Sequence, residues 1–372
     1  MNYTRKLFQT KDPYDLSGTD TLFVESVKEN VRLHTGHCAE YRALLEREAF
    51  AVDALNSIDD LYRVPVLPTL FLKAHPLFSM EEKWFLIRAT SSGTSGMKSR
   101  IGIDARSLSY GIRMLLKLFS YHHLLSLAPT NYVLLGYEPS PTMETGAVKT
   151  AHGVTYFAPA LHREYALKYR DGTYTPNIEG VLRALHRYQK QGLPVRLVGF
   201  PYFMLVLTKT LEETGCRLNL PPGSKVLLGG GFKQQFAKRV EMRELVERIG
   251  DTLGIPESGC KEFFSAAEHP VAYCGCARHH FHVPVYSRVI IRDVRTLLPL
   301  PYGQPGLLSF VTPIMQSVPF VSVMTDDIAV MHEGKTCGCG IKAPYFELLG
   351  RANAQGIKTC AAGAAEALEA HS

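Results

Sequence analysis

The sequence predicts an α/β protein, and three observations carry that expectation. Short apolar runs of strand length alternate with amphipathic stretches of helix length through the middle of the chain. Several of these runs end in glycine, and after about residue 280 the pattern changes to short strands broken by Pro and Gly turns. Strands separated by amphipathic helices are the pattern of parallel βαβ units covered on both faces. With 372 residues, 46% hydrophobic and 20% charged, the composition supports a large core and excludes a disordered chain.

The elements follow in order. The first seventy residues read as a leading helical segment, in which Phe23, Val27 and Val31, then Tyr41, Leu44 and Leu45, recur at helical spacing. Residues 107–127 read as a long apolar helix, and residues 131–136 as a buried strand ending in glycine. Then come a helix at 177–191, a strand at 195–199, a helix to about Glu213, a strand at 225–231, a helix at 233–253 and a strand at 262–265. A β-rich subdomain is expected over 280–349, with strands at 283–286, 288–291, 306–311, 320–324 and 345–349. The predicted organisation is one large domain, 1–349, followed by a short mobile segment, 350–372, that ends in an Ala-rich helix.

Charge and cysteine content narrow the function classes. Lys plus Arg number 41 against 35 for Asp plus Glu, a net +6 that does not mark a dedicated nucleic-acid binder. No apolar stretch is long enough to span a bilayer, and no secretory leader is evident, so a soluble, cytoplasmic protein is expected. In that setting the eight cysteines read as thiols, metal ligands or a nucleophile rather than as disulfides.

Four groups of residues carry chemistry. Ser91, Ser92, Gly93, Thr94, Ser95, Gly96 and Lys98 lie in one run, where small residues let backbone N–H groups approach a polyphosphate and the lysine supplies a point charge. Met97 separates Gly96 from Lys98, so this is not the P-loop of NTPases; a flexible linker is the bland alternative. Gly229, Gly230 and Gly231 close a buried strand, and backbone without side chains at a strand end can lie flat against a base. Cys274, Cys276, Cys337 and Cys339 form two Cys-Gly-Cys pairs, with His279, His280 and His282 after the first; four thiolates, or three and an imidazole, suit a structural Zn²⁺. Reduced free thiols are the alternative there. Cys360 lies in the C-terminal segment, where a helix N-terminus and Lys358 would favour its thiolate. Residues 199–204 with Tyr137 and Phe157 could line an apolar acid pocket, or be core.

The order Ser-Ser-Gly-Thr-Ser-Gly-x-Lys resembles the phosphate-binding motif of the adenylate-forming superfamily, which makes acyl-AMP from a carboxylic acid and ATP. Within it, the chain is similar to the acyl-protein synthetases of bacterial luminescence and more distantly to phenylacetate–CoA ligases. The resemblance implies that Phe264 lies beside adenine, that Glu268 helps hold Mg²⁺, that Asp327 takes the ribose hydroxyls and that Arg351 sits at the hinge to the C-terminal part. Two motifs depart from the family pattern, since Ser265 and Ala267 replace Gly and Thr, and Asp326 replaces Gly. It further implies that Cys360 accepts the acyl group for delivery to an acyl reductase partner. Only about twenty residues follow Arg351, which favours self-acylation over transfer to CoA. An acyl- or aryl-CoA ligase and a non-catalytic nucleotide-binding subunit of a reductase complex are the competing expectations.

Overall fold

The computed structural model describes residues 2–90, 99–140, 151–230 and 242–352. The chain forms two compact units, residues 1–121 with 265–372 and residues 122–264. The linear reading of one domain to residue 349 did not anticipate this interleaving.

The first unit opens with α1 (Tyr3–Leu7), whose N-terminus is capped by the Asn2 side chain accepting from the Arg5 N–H at 2.7 Å. Within the expected helical segment lie α2 (Asp20–His37) and α3 (Ala39–Arg47), separate helices because Cys38 between them is extended. After β1 (Leu67–Pro68) and α4 (Thr69–Ala74), β2 (Ile87–Thr90) and β3 (Arg100–Ile103) pair antiparallel, with Thr90 opposite Arg100. The glycine- and serine-rich run thus connects two paired strands, neither of which was expected. In α5 (Ala105–Tyr121), the Asp104 carboxylate accepts from the Arg106 and Ser107 N–H groups at 2.7 and 3.3 Å. This helix ends short of the predicted residue 127, and His123 just beyond it is left-handed, with φ 54°.

In the second unit the expected alternation is present. Strands β4 (Thr130–Tyr137), β5 (Ala160–Arg170), β6 (Thr173–Pro176), β7 (Val195–Gly199), β8 (Lys225–Gly229) and β9 (Cys260–Ala266) lie in the order β9-β8-β7-β4-β5-β6. All neighbours are parallel except β5 and β6, a hairpin turned by Asp171 and Gly172 with φ 48° and 83°. The helices are α6 (Ile178–Gln191), α7 (Pro201–Glu213) and α8 (Met242–Leu253); Gly192 closes α6 in the left-handed conformation. Val133, Leu197, Val226, Leu185, Leu211 and Ile249 are fully enclosed in one core where strands and helices meet.

The chain then returns to the first unit. β10 (His269–Cys274), β11 (Phe281–His282), β12 (Arg288–Arg292), β13 (Pro305–Val311), β14 (Ser322–His332) and β15 (Tyr345–Arg351) supply its strands. Five of them form an antiparallel sheet ordered β11-β15-β14-β13-β12, and β1 pairs parallel with β14. Residues 283–286, expected as a strand, are not one: Pro284 donates no ladder bond, and the Ser287 N–H closes a turn onto its carbonyl at 3.1 Å. The leading helices are integral to this unit. Phe8 stacks between Tyr110 and Tyr286 with centroids 4.9 Å away on each side, and Arg288 lies 4.3 Å over the Phe23 ring while donating to Asp20 at 2.8 Å.

Candidate functional site

In the second unit, parallel strands bring their carboxyl ends to one edge of the sheet, where α/β folds place ligands. Gly199 pairs with Leu135 and Leu228, and Gly229 pairs with Phe263, so Gly229, Gly230 and Phe264 share that edge. Backbone approach is close there. A Cβ on Gly199 would lie 2.4 Å from the Leu135 carbonyl oxygen, and one on Gly230 would lie 2.7 Å from the Phe200 ring, which also borders Gly136. Gly199 and Gly230 have φ 143° and 84°, which other residues rarely adopt. Among the acid-pocket candidates, Met204 is fully enclosed in the core, whereas Tyr137 is half-buried at the end of β4, its ring 5.0 Å from Tyr174.

The first unit positions two carboxylates. Glu268 is buried, and the Ser99 hydroxyl donates to its Oε1. Ser99 immediately follows residues 91–98 in the sequence. A buried carboxylate held by a hydroxyl is a donor of the kind Mg²⁺ takes. Asp327 lies within β14 rather than past the end of a strand. The β13–β14 register breaks between Leu307 and Ser309, so residues 325–327 fall outside the paired register, and the Thr325 hydroxyl donates to the Leu308 carbonyl at 3.4 Å. On the other side Asp327 pairs with Arg351, whose Nε is 3.4 Å from its Oδ1. Burial raises the Asp327 carboxyl above its ordinary value, against the lowering effect of Arg351 and of a hydrogen bond with Thr325. Irregularities of this kind re-aim side chains, and here one aims a carboxylate with a cation beside it.

The Cys-Gly-Cys pairs converge with one substitution. Cys276, Cys337 and Cys339 gather with His282, their donor atoms all within 4.8 Å of one another. Cys274 is not in this group. It ends β10, its Sγ lies 3.7 Å from the carbonyl of Gly275, and the chain turns after Cys276, where the His279 N–H donates to the Cys276 carbonyl. Burial alone would push the Cys276 thiol up, but its contact with the His282 ring and hydrogen bonds with the Arg278 and His280 backbone bring it down to about 6. Cys337 is pushed up to about 12 by burial and by its neighbouring thiols. Two pairings escaped the sequence reading: that of Ser99, at the end of segment 90–99, with Glu268, and that of His282, which the histidine run signalled without distinguishing it from His279 or His280.

Ser91, Ser92, Gly93, Thr94, Ser95, Gly96, Lys98, Gly231 and Cys360 lie outside the described residues. Among the described residues, no helix is long and apolar enough to cross a membrane.

Comparison with known proteins bears on the fold and on the family. The solved structure of an open 2-hydroxyisobutyryl-CoA ligase, bound to its acyl-AMP and CoA, superposes with a TM-score of 0.66 at 17% identity, covering 92% of this chain and 76% of that one. A second structure of that ligase, in the postadenylation state, gives the same TM-score at 16% identity, covering 92% of this chain and 70% of the other. The fold is therefore that of the adenylate-forming ligases. Two curated relatives are both named long-chain-fatty-acid–luciferin-component ligase. The one from Vibrio harveyi is 25% identical over 97% of this chain and 92% of its own length; the one from Aliivibrio fischeri is 23% identical over 92% and 88%. A family model described as acyl-protein synthetase, LuxE, matches residues 4–369. By that match along nearly its whole length, the chain belongs to the acyl-protein synthetase family.

Proposed function

We propose that this protein activates a fatty acid with ATP and passes the acyl group to its own Cys360. The observation that carries the reading is the family match over residues 4–369, which takes in the phosphate-cradle run, the two carboxylates and Cys360 together. In the first step a carboxylate oxygen of the acid attacks the α-phosphorus of ATP and pyrophosphate leaves. Lys98 and the hydroxyls and N–H groups of residues 91–96 neutralise the charge developing between the two phosphates, an electrostatic role. Gly229, Gly230, Gly231 and Phe264 offer a flat surface for adenine, Asp327 accepts from the ribose hydroxyls, and Arg351 steadies that carboxylate.

Glu268, held by Ser99, is the residue that would bind Mg²⁺, which supplies charge neutralisation on the phosphates when bound. In the second step the Cys360 thiolate, having lost its proton to solvent, attacks the acyl carbon and AMP leaves with the C–O bonding pair, giving a thioester. A thioester keeps the acyl carbon activated, so the downstream partner is an enzyme that accepts acyl groups, an acyl reductase. A reducing cytoplasm suits the seven described cysteines, all of which are free thiols.

The test is direct. Full-length protein incubated with ATP, Mg²⁺ and straight-chain acids of graded length should gain a hydroxylamine-labile mass that maps to Cys360. AMP release without an adduct, and only when CoA is present, would instead make CoA the acceptor.

A further inference from the structure

Outside the groups used by the proposed reaction, one cluster gathers three thiols and an imidazole. We propose that Cys276, Cys337, Cys339 and Nε2 of His282 bind a structural zinc ion as a closed tetrahedral S₃N site. The spacing fits. With Zn–S bonds of about 2.3 Å, tetrahedral geometry puts two ligating sulfurs about 3.8 Å apart. The Cys276 and Cys337 sulfurs are 3.6 Å apart, well beyond the roughly 2.05 Å of a disulfide. All four donor atoms lie within 4.8 Å of one another.

The imidazole is prepared for the same role. His282 Nδ1 lies 2.6 Å from the Ala343 carbonyl oxygen, which can only accept, so Nδ1 carries the proton. That leaves the lone pair on Nε2, 3.2 Å from the Cys339 sulfur, the arrangement by which an outer hydrogen bond orients a metal-binding histidine. Each sulfur also has its own N–H neighbour of the kind that supports a thiolate. Arg278 N–H reaches Cys276 at 3.3 Å, Ile341 N–H reaches Cys339 at 3.5 Å, and His280 Nδ1 lies 3.2 Å from Cys337.

Backbone geometry converges on the same point. Gly338 and Gly340 have φ 72° and 95°, and His279 has φ 61°, so both loops curl around their ligands. Soft thiolates with one imidazole select zinc over the oxygen-loving Mg²⁺ or Ca²⁺. Because four protein donors complete the tetrahedron and three of the four residues are buried, the ion has no open position for substrate and serves the fold. It clips the β10–β11 turn to the β14–β15 loop. Binding displaces the protons of whichever thiols are still protonated.

The full-length protein, purified with a reductant and without chelators, should contain about one zinc per chain by elemental analysis. Replacement by Co²⁺ should give an intense sulfur-to-cobalt charge-transfer band. Cys274→Ser should keep the metal and Cys339→Ala should lose it. Alkylation of the wild-type chain makes the test independent of variant folding: Zn²⁺ should slow modification of Cys276, Cys337 and Cys339 at least tenfold relative to Cys216. The proposal is overturned if no zinc survives desalting after incubation with excess Zn²⁺ and the three cysteines alkylate at the same rate with and without it. None of these measurements depends on acyl transfer, so a failure here is separate from a failure of the ligase reading.

Discussion

Ser99 and Glu268 form a pair in which one hydroxyl fixes a buried carboxylate. Ser99→Ala removes the donor and leaves the charge under-satisfied, so the variant should lose about 1.5–3 kcal/mol of stability, read from urea unfolding midpoints. Glu268→Gln keeps the shape and removes the charge; acid-dependent ATP–pyrophosphate exchange should fall about 10²-fold with folding intact. A variant that exchanged at the wild-type rate would remove Glu268 from the metal-binding role. Asp327→Asn should raise KM for ATP by about ten- to a hundredfold through the loss of charge-assisted hydrogen bonds. Initial-rate kinetics would check this, and a change in kcat alone would point away from ribose binding. Both carboxylates were legible in the sequence from short, imperfect motifs. Their partners were not, because Ser99 and Glu268 are 169 positions apart and only the fold joins them. The histidine of the thiol cluster was half legible: three histidines follow Cys276, and the Ala343 carbonyl that singles out His282 lies 61 positions away.

At the level of elements, the parallel strands of the second unit were readable because each is a short apolar run closed by glycine and followed by an amphipathic helix. The β5–β6 hairpin was not, since β5 carries His162, Arg163, Glu164 and Lys168 and does not look buried. Its one clear sign was Asp171-Gly172, the dipeptide that a tight hairpin turn requires. The pair β2–β3 was hidden for another reason, as each strand has only four residues. Among the glycines at strand ends, Gly230 carries two constraints, φ 84° and the Phe200 ring 2.7 Å from any added Cβ. Gly223 has nearly the same φ, also 84°, but meets nothing closer than 3.7 Å. Gly223→Ala should therefore cost only the backbone term of about 1–2 kcal/mol, and Gly230→Ala more. Trimming the ring in a Phe200→Leu, Gly230→Ala double variant should recover part of the difference in thermal melts. Equal losses for the two single variants would mean that Phe200 gives way freely.

Across the whole molecule, two buried histidines set the response to acid. Burial holds His34 down to about 4, against a raising contribution from the Met315 carbonyl, and His269 down to about 3. Both are neutral in the folded state at pH 5.5, whereas an unfolded chain protonates them below about pH 6.5. The unfolded state therefore binds more protons, and stability falls as pH drops from about 6.5 toward 4. Between pH 7.5 and 5.5 each histidine should remove on the order of 1 kcal/mol, measurable as a shift in the urea midpoint; a rise in stability on acidification would contradict this assignment. The interleaving of the two units bears on how the protein is made. Residues 122–264 are continuous in sequence, while residues 1–121 share their unit with partners that begin at residue 265. At about 5–20 residues per second, the intervening stretch delays those partners by roughly 7–30 s. Through that interval Phe8 has Tyr110 but not Tyr286, and Phe23 lacks the Arg288 guanidinium that covers it. The nascent chain thus carries an uncovered aromatic surface at its leading end, a natural place for a chaperone to hold it until translation catches up.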